Sequence, residues 1–262
     1  MTEQITAATL GEMFSLAGRT ALVTGAGRGL GRGMAEALAA AGADVVCADR
    51  TAGSSRETAA AIRALGRKAW EVQADLTDRP ALMALADEAE RATGGIDILI
   101  NCGGTIARYP AAEYPDEAWD MVLRTNLDGT FILCRQLGAA MLKRGRGKII
   151  NIASLLAFQG GVTVPAYTAS KHAVAGLTKA LANEWAGLGV QVNAIAPGYM
   201  MTDNTVRLRE DPKRYAEITA RIPAGRWGMP LDLGGAAVFL ASAASDYVNG
   251  HVLVVDGGWM AR

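Results

Sequence analysis

Cysteine and histidine are scarce in this chain of 262 residues, and the scarcity excludes several chemistries at once. The three cysteines, Cys47, Cys102 and Cys134, are odd in number and far apart. Neither a disulfide framework nor a zinc spacing fits them, so a reducing compartment is expected. The two histidines, His172 and His251, have no companion at metal-ligand spacing, and no metal site is expected. Net charge is also missing. The 26 Lys and Arg balance 26 Asp and Glu, which argues against nucleic acid or an anionic membrane as the main partner. No apolar run approaches the ~18 residues that span a bilayer. The N-terminal stretch MTEQITAATLGEMF has acidic residues and no apolar h-region, so no secretory signal is expected and the cytoplasm is the expected setting. Internal repeats and low-complexity tracts are lacking too.

What the chain does have is a hydrophobic half that runs evenly along its length, enough for one large core. Short β-branched stretches alternate with longer helix-period stretches, the pattern of βαβ units. Expected strands are Thr20–Thr24, Asp44–Ala48, Ala69–Gln73, Ile96–Asn101, Lys148–Ile152, Val190–Ile195 and Val252–Val255. Expected helices include Gly29–Ala41, Ser54–Leu65, Pro80–Thr93, Glu117–Lys143 and Pro165–Gly187, with Gly42, Gly66, Gly94 and Gly189 placed as C-caps. Right-handed crossovers would stack these into an α/β single-domain Rossmann fold: a doubly wound, seven-stranded parallel sheet with helices on both faces. Residues 1–18 read as an N-terminal extension. The charged stretch 200–230 interrupts the alternation and reads as a helical excursion outside the sheet, either a lid or a plain solvated helix pair.

The first strand runs into TGAGRGLG, residues 24–31, and then a helix. Glycines there let the backbone turn and approach a pyrophosphate, which the helix N-terminus attracts. The spacing is T-G-x-x-x-G-x-G, with Gly25, Gly29 and Gly31, and not G-x-G-x-x-G. Asp49 ends the second strand 18 positions after Gly31, where a carboxylate can accept from both ribose hydroxyls and repel a 2′-phosphate. That favours NAD, while Arg28 and Arg50 leave NADP possible by offering neutralising guanidiniums. Asp75 either meets the adenine edge or caps the following helix. The turn NCGG, Asn101–Gly104, either lets the chain pass beside a cofactor or is a plain turn.

The segment YTASK sets Tyr167 and Lys171 one helical turn apart. A phenol is a poor base near neutrality, and lowering its pKa by ~3 units requires about 4 kcal/mol of preference for the phenolate. An ammonium ~5 Å away at an effective dielectric of ~20 supplies about 3 kcal/mol, so Lys171 is expected to provide most of it. Ser154 ends the fifth strand, at the side of the sheet where such folds open their cleft. Its hydroxyl can donate to a substrate oxygen while Tyr167 transfers the proton, or it can cap a loop. Asn126, in TNLDG, either holds a water that relays protons to Lys171 or satisfies a buried carbonyl.

Taken in order, TGAGRGLG, Asp75, NCGG, Asn126, Ser154, YTASK and Pro197–Gly198 resemble the short-chain dehydrogenase/reductase family along essentially the whole chain. The resemblance implies Tyr167 as acid/base, Lys171 as its activator and ribose ligand, Ser154 as donor to the substrate oxygen and Asn126 as a relay residue. It implies that Leu30, Leu76, Asn101 and Gly103 join the cofactor contacts, with Pro197, Gly198, Ile195 and Thr202 towards the nicotinamide. One departure stands out: the family usually has N-N-A-G where this chain has Cys102 and Gly103 in the middle of NCGG, which implies altered packing beside the adenosine.

The second half is similar to the family's sugar-acid dehydrogenases and reductases in IINIASLLAFQGG, VPAYTASK, VNAIAPGYM, RIPAGRWG and VDGGW. That likeness implies hydride transfer to and from a ketone of a small sugar acid in uronate breakdown, by a homotetramer. A sugar acid needs a group for its carboxylate. Arg108 is the candidate, with Gln159 and Tyr199 for hydroxyls. The rival from another class is a non-catalytic NAD-binding redox sensor, which would have no need of an activated phenol.

Overall fold

A computed structural model of the chain describes residues 6–262, and residues 1–5 of the expected N-terminal extension lie outside the described part. Seven strands form one sheet: β1 (Thr20–Thr24), β2 (Asp44–Asp49), β3 (Ala69–Gln73), β4 (Ile98–Asn101), β5 (Gly147–Ile152), β6 (Val190–Pro197) and β7 (Val252–Val255). Their spatial order is β3-β2-β1-β4-β5-β6-β7, and every pairing is parallel. The order reverses between β1 and β4. At such a switch point the loops leaving the two strands diverge to opposite faces and leave a crevice between them.

Strand alternation makes two cores. Ala21, Val23, Val45, Ile98 and Ile100 face α2 (Gly29–Ala40) and α10 (Gly234–Ala241), where Met34, Leu38 and Leu240 are buried. Leu22, Val46, Leu99 and Ile149 face the other way, onto α4 (Arg79–Thr93), α6 (Gly129–Arg144) and α7 (Pro165–Trp185). A sheet with apolar residues on both faces has to be covered on both faces, which is the physical reason for the alternating helices. The remaining helices are α1 (Ala7–Phe14), α3 (Arg56–Ala64), α5 (Asp116–Leu123), α8 (Val206–Arg209) and α9 (Pro212–Arg221).

The elements follow the expected pattern with end shifts of a residue or two, and four of the local differences stand out. β4 begins at Ile98, because the N–H of Ile96 donates to the Glu90 carboxylate and its carbonyl accepts from Arg144, so neither is free for the sheet. β6 continues to Pro197, pairing Ala196 and Pro197 with Val254 and Val255. α3 starts at Arg56, after a turn in which Ser54 N–H donates to Thr51 O. The long central helix is interrupted: Arg124–Asp128 forms a π-helical turn between α5 and α6. The four expected cap glycines all have positive φ.

Residues 200–230 lie outside the sheet. They run from a bridge between Met200 and Gly228 through a 3-10 turn at Asp203–Thr205, then α8 and α9. Ile218, Ile222 and Trp227 of this stretch pack with Leu155 and Trp259 in a small separate core.

Candidate active site

The crevice at the switch point is a cleft of about 310 Å³. Its lining includes Gly25, Arg28, Gly29, Leu30 and Gly31 after β1, Asp49 and Arg50 after β2, Asp75 and Leu76 after β3, and Cys102–Thr105 after β4. Thr202, Asp203 and Asn204 close one side. The floor is pinned by a residue the sequence reading passed over. Thr24 Oγ1 accepts from the N–H groups of both Cys102 and Gly103, each at 3.0 Å, and so ties the β1 loop to the β4 loop. Its signal was position alone: a hydroxyl at the last residue of the strand before the glycine turn.

Several features fit a dinucleotide. Gly25 and Gly29 have φ of +66° and +54°, and a Cβ on Gly31 would lie 2.1 Å from the carbonyl oxygen of Gly25. A side chain at these positions would break the turn or fill the crevice. No side chain caps the N-terminus of α2, so its first N–H groups face the cleft as anion donors. Asp49 Oδ2 accepts from Gly27 N–H at 3.0 Å, which fixes the carboxylate beside the glycine turn. Cys102 also lines this cleft, and burial pushes its thiol up to about 12, so it sits there neutral.

For two of the expected cofactor residues the structure narrows or changes the reading: Asp75 lines the cleft and loses its alternative as a cap, and Asn101 faces elsewhere. Asp75 does not cap the next helix: its Oδ1 accepts from the N–H and hydroxyl of Thr77, while Asp78 caps α4 through Ala81 N–H. The bond from Thr77 N–H holds the Asp75 carboxyl below its usual range. Asn101 is turned away from the cleft. Strand alternation puts it on the Leu99 face, where its Nδ2 donates to Asn151 Oδ1 at 2.9 Å and approaches Cys134 Sγ at 3.3 Å. Pro197 and Gly198 lie where β6 ends, and Gly198 packs so closely on Asp256 that a Cβ would meet its Cα at 2.6 Å.

Beside the lining residue Cys102, whose charge would act on both, α7 carries Tyr167 and Lys171, and Ser154 follows β5. The Ser154 hydroxyl neighbours the Tyr167 phenol and acts to lower its pKa, and its Oγ accepts from Leu156 N–H at 3.2 Å. Lys171 Nζ lies 5.6 Å from the Tyr167 ring centre and donates to Ile152 O at 2.6 Å. Asn126 is buried on the π-helical turn. Its Oδ1 accepts from Thr105 N–H at 2.8 Å, and its Nδ2 donates to Thr105 O at 2.9 Å and Ser170 Oγ at 3.1 Å. Both amide hydrogens are therefore engaged, which matches the reading of a side chain that satisfies buried backbone. Ser170, not singled out from the sequence, completes the network by donating to Tyr167 O at 2.7 Å.

The electrostatics correct one expectation. Lys171 was expected to draw the phenol pKa down; in the folded chain burial dominates and raises it above 10, opposed by the Ser154 hydroxyl and the charge of Arg108. The physical reason is that the lysine shares the same dry site. Burial pushes Lys171 itself down to about 8, and its ammonium is directed at the Ile152 carbonyl.

The substrate side is formed by loops and the excursion. Arg108 reaches across with Nη2 donating to Asn204 O at 3.2 Å. Tyr199 packs edge-on against Trp227, with ring centres 5.3 Å apart, and 4.6 Å from Trp259. Gln159 Oε1 accepts from Trp259 Nε1 at 3.1 Å, so its acceptor is held by the indole. The excursion is thus joined to the loop that begins at Ser154.

This arrangement has close counterparts. A family model described as enoyl-(acyl carrier protein) reductase matches residues 25–260. The short-chain type dehydrogenase/reductase of Mycobacterium marinum, of known structure, is 35% identical with a TM-score of 0.91, covering 96% of this chain and 99% of that one. The chain belongs to the short-chain dehydrogenase/reductase family. Within that family it is 56% identical over 253 residues to the 2-dehydro-3-deoxy-D-gluconate 5-dehydrogenase of Bacillus subtilis (strain 168), covering 97% of this chain and 99% of the relative. A gluconate 5-dehydrogenase from Burkholderia cenocepacia J2315, solved with NADP and tartrate, is 41% identical with a TM-score of 0.93, over 97% of this chain and 99% of that one. Short-chain dehydrogenases of this kind use a nicotinamide dinucleotide, and the glycine cleft here fits one.

Proposed function

We propose that the chain reversibly exchanges hydride between NAD(P)H and a ketone of a small sugar acid, with the 2-keto-3-deoxygluconate/2,5-diketo-3-deoxygluconate pair of uronate breakdown as substrate. The observation that carries this is the grouping of Tyr167, Ser154 and Lys171 beside a glycine-walled cleft: Lys171 Nζ lies 5.6 Å from the Tyr167 ring centre, and Cys102 of the cleft lining is near enough to act on both groups. The names of the relatives supply the substrate class: four 2-dehydro-3-deoxy-D-gluconate 5-dehydrogenases are 51–56% identical over nearly their whole length.

The dinucleotide, when bound, supplies or accepts the hydride. Gly25, Gly29, Leu30 and Gly31 with the start of α2 would hold its pyrophosphate, Asp49 the adenosine ribose and Asp75 with Leu76 and Gly103 the adenine end. Pro197, Gly198 and Thr202 would border the nicotinamide end, while Ile195, expected there too, is fully buried in the core. The chain's own part is proton transfer. Ser154 donates to the substrate oxygen as negative charge develops, and Tyr167 passes it a proton. A phenol held above 10 is a competent donor for reduction. For oxidation it must ionise, and a protonated Lys171, 5.6 Å from the ring centre, would favour the phenolate. Asn126 holds the Thr105 loop and, through Ser170, the backbone of Tyr167. Arg108 keeps donors beyond the one on Asn204 and would take the substrate carboxylate, with Tyr199 and Gln159 at the pocket edge. The excursion 200–230 would act as the lid. The working setting is a cytoplasmic homotetramer.

A second reading, gluconate 5-dehydrogenase, is favoured by the 44% identity to the Gluconobacter oxydans (strain 621H) enzyme of that name over 247 residues. Steady-state rates with a panel of ketouronates, deoxyketo acids and 5-ketogluconate, each with NADH and NADPH, decide between them. The highest kcat/KM is expected for the 2,5-diketo acid. A higher value for 5-ketogluconate would establish the second reading, and no turnover with any of them would overturn both.

A further inference from the structure

Arg28 is the guanidinium carried by the glycine turn itself. It follows Gly27, whose N–H holds Asp49. It does not stand alone in the cleft. Its Nη1 lies 2.8 Å from Asp203 Oδ2, on the far wall. Both residues line the same crevice, so this ion pair crosses its mouth.

The carboxylate of Asp203 is presented by ordered backbone. Thr205 Oγ1 donates to Met200 O at 2.7 Å and to Thr202 O at 2.9 Å, and Arg209 Nη2 donates to Thr202 O at 3.1 Å. Arg108 holds the next carbonyl, that of Asn204. The first turn of the excursion is therefore fastened from two sides, and Asp203 faces the glycine loop from it.

We propose that Asp203 is a determinant of dinucleotide preference, acting by occupying Arg28 and so denying that guanidinium to a ribose 2′-phosphate. A 2′-phosphate has to displace the Asp203 carboxylate before it can pair with Arg28; a 2′-hydroxyl does not. Asp49 opposes the phosphate directly, and Asp203 opposes it by holding its counter-charge. Arg50, exposed at the rim and in no ion pair among the described residues, remains as the cation open to a phosphate. This rests on the cleft being the NAD(P) site. The pair is 79% and 65% exposed, so solvent screening limits the effect to about two- to fivefold.

The test is calorimetric binding of NAD⁺ and NADP⁺ to the full-length chain and to Asp203→Asn, Arg28→Ala and the double variant. Asp203→Asn is expected to tighten NADP⁺ by about two- to fivefold, leave NAD⁺ unchanged, and lose this effect when Arg28 is alanine. Three results would overturn the proposal: an unchanged ratio of the two affinities, an equal gain for both dinucleotides, or the same gain without Arg28. If the unaltered chain binds neither dinucleotide, the reading of the cleft fails and the proposal falls with it. Both side chains are exposed, so the variants keep the core intact.

Discussion

The two ends of the cleft are built by different means. The dinucleotide end is mostly backbone: positive-φ glycines, an uncapped helix start and the N–H groups of Cys102 and Gly103 on one hydroxyl. The reacting end is mostly side chain. A phenol and an ammonium from α7, a serine after β5 and a buried amide from the π-helical turn come together from three separate elements. The first is a shape, which tolerates no added atom; the second is a set of charges and protons, in which one atom can be removed without changing the shape. Substitutions should therefore fail in opposite ways.

Tyr167→Phe is the sharpest break. Removing one oxygen should lower kcat by about 10²–10⁴-fold while the dinucleotide Kd stays within twofold, both read by stopped-flow and calorimetry. Retained turnover would remove Tyr167 from the proton transfer. Gly31→Ala should do the reverse. The added Cβ meets the Gly25 carbonyl, so dinucleotide binding should weaken by about 100-fold or more, equally for NADH and NADPH. A normal Kd would show that the glycine turn is not the binding surface. Arg108→Leu belongs to the reacting end and should raise KM for a carboxylated substrate by about 10–100-fold, far more than for an uncharged analogue. Equal effects on both would mean that Arg108 serves only to hold Asn204.

The smallest effect concerns stability and pH. Lys171 is held near 8 in the folded chain, below its ordinary 10.5. Between those values the unfolded chain binds more protons, so folding is favoured as pH rises, and below pH 8 the burial cost is present in full. Wild type should gain stability relative to Lys171→Met as the pH goes from about 8 to 10.5, whatever their difference at pH 7. Parallel curves from urea unfolding would place the Lys171 pKa at its ordinary value.

The same contrast separates what the sequence makes legible from what it does not. The strands, the helices between them and the glycine turn follow from local rules, apolar runs, spacing and backbone freedom, and those rules operate within a few residues. Pairings between distant segments are invisible to them. Ile96 leaves β4 because Glu90 and Arg144 claim its backbone, and the amide of Asn101 is taken by Asn151, 50 positions away. The π-helical turn at Arg124–Asp128 has no composition signal, yet it carries Asn126 to Thr105 and Ser170. The phenol was misjudged for a related reason. Spacing on α7 brings Tyr167 and Lys171 together, but only the folded surroundings reveal that both are dry and that the ammonium has its own carbonyl partner. Gln159 shows the limit most simply: its neighbour Trp259 is 100 positions away.

Thr24 carries one more consequence. A single hydroxyl receiving two amides anchors the base of the groove to both sides of the sheet's switch point, so the groove cannot widen from below. Adaptation to a new cofactor or substrate is confined to the walls, at Arg28, Asp203 and Arg108, where side chains can change without disturbing that anchor. Valine at position 24 would strand two amides at once and loosen every specificity the walls impose.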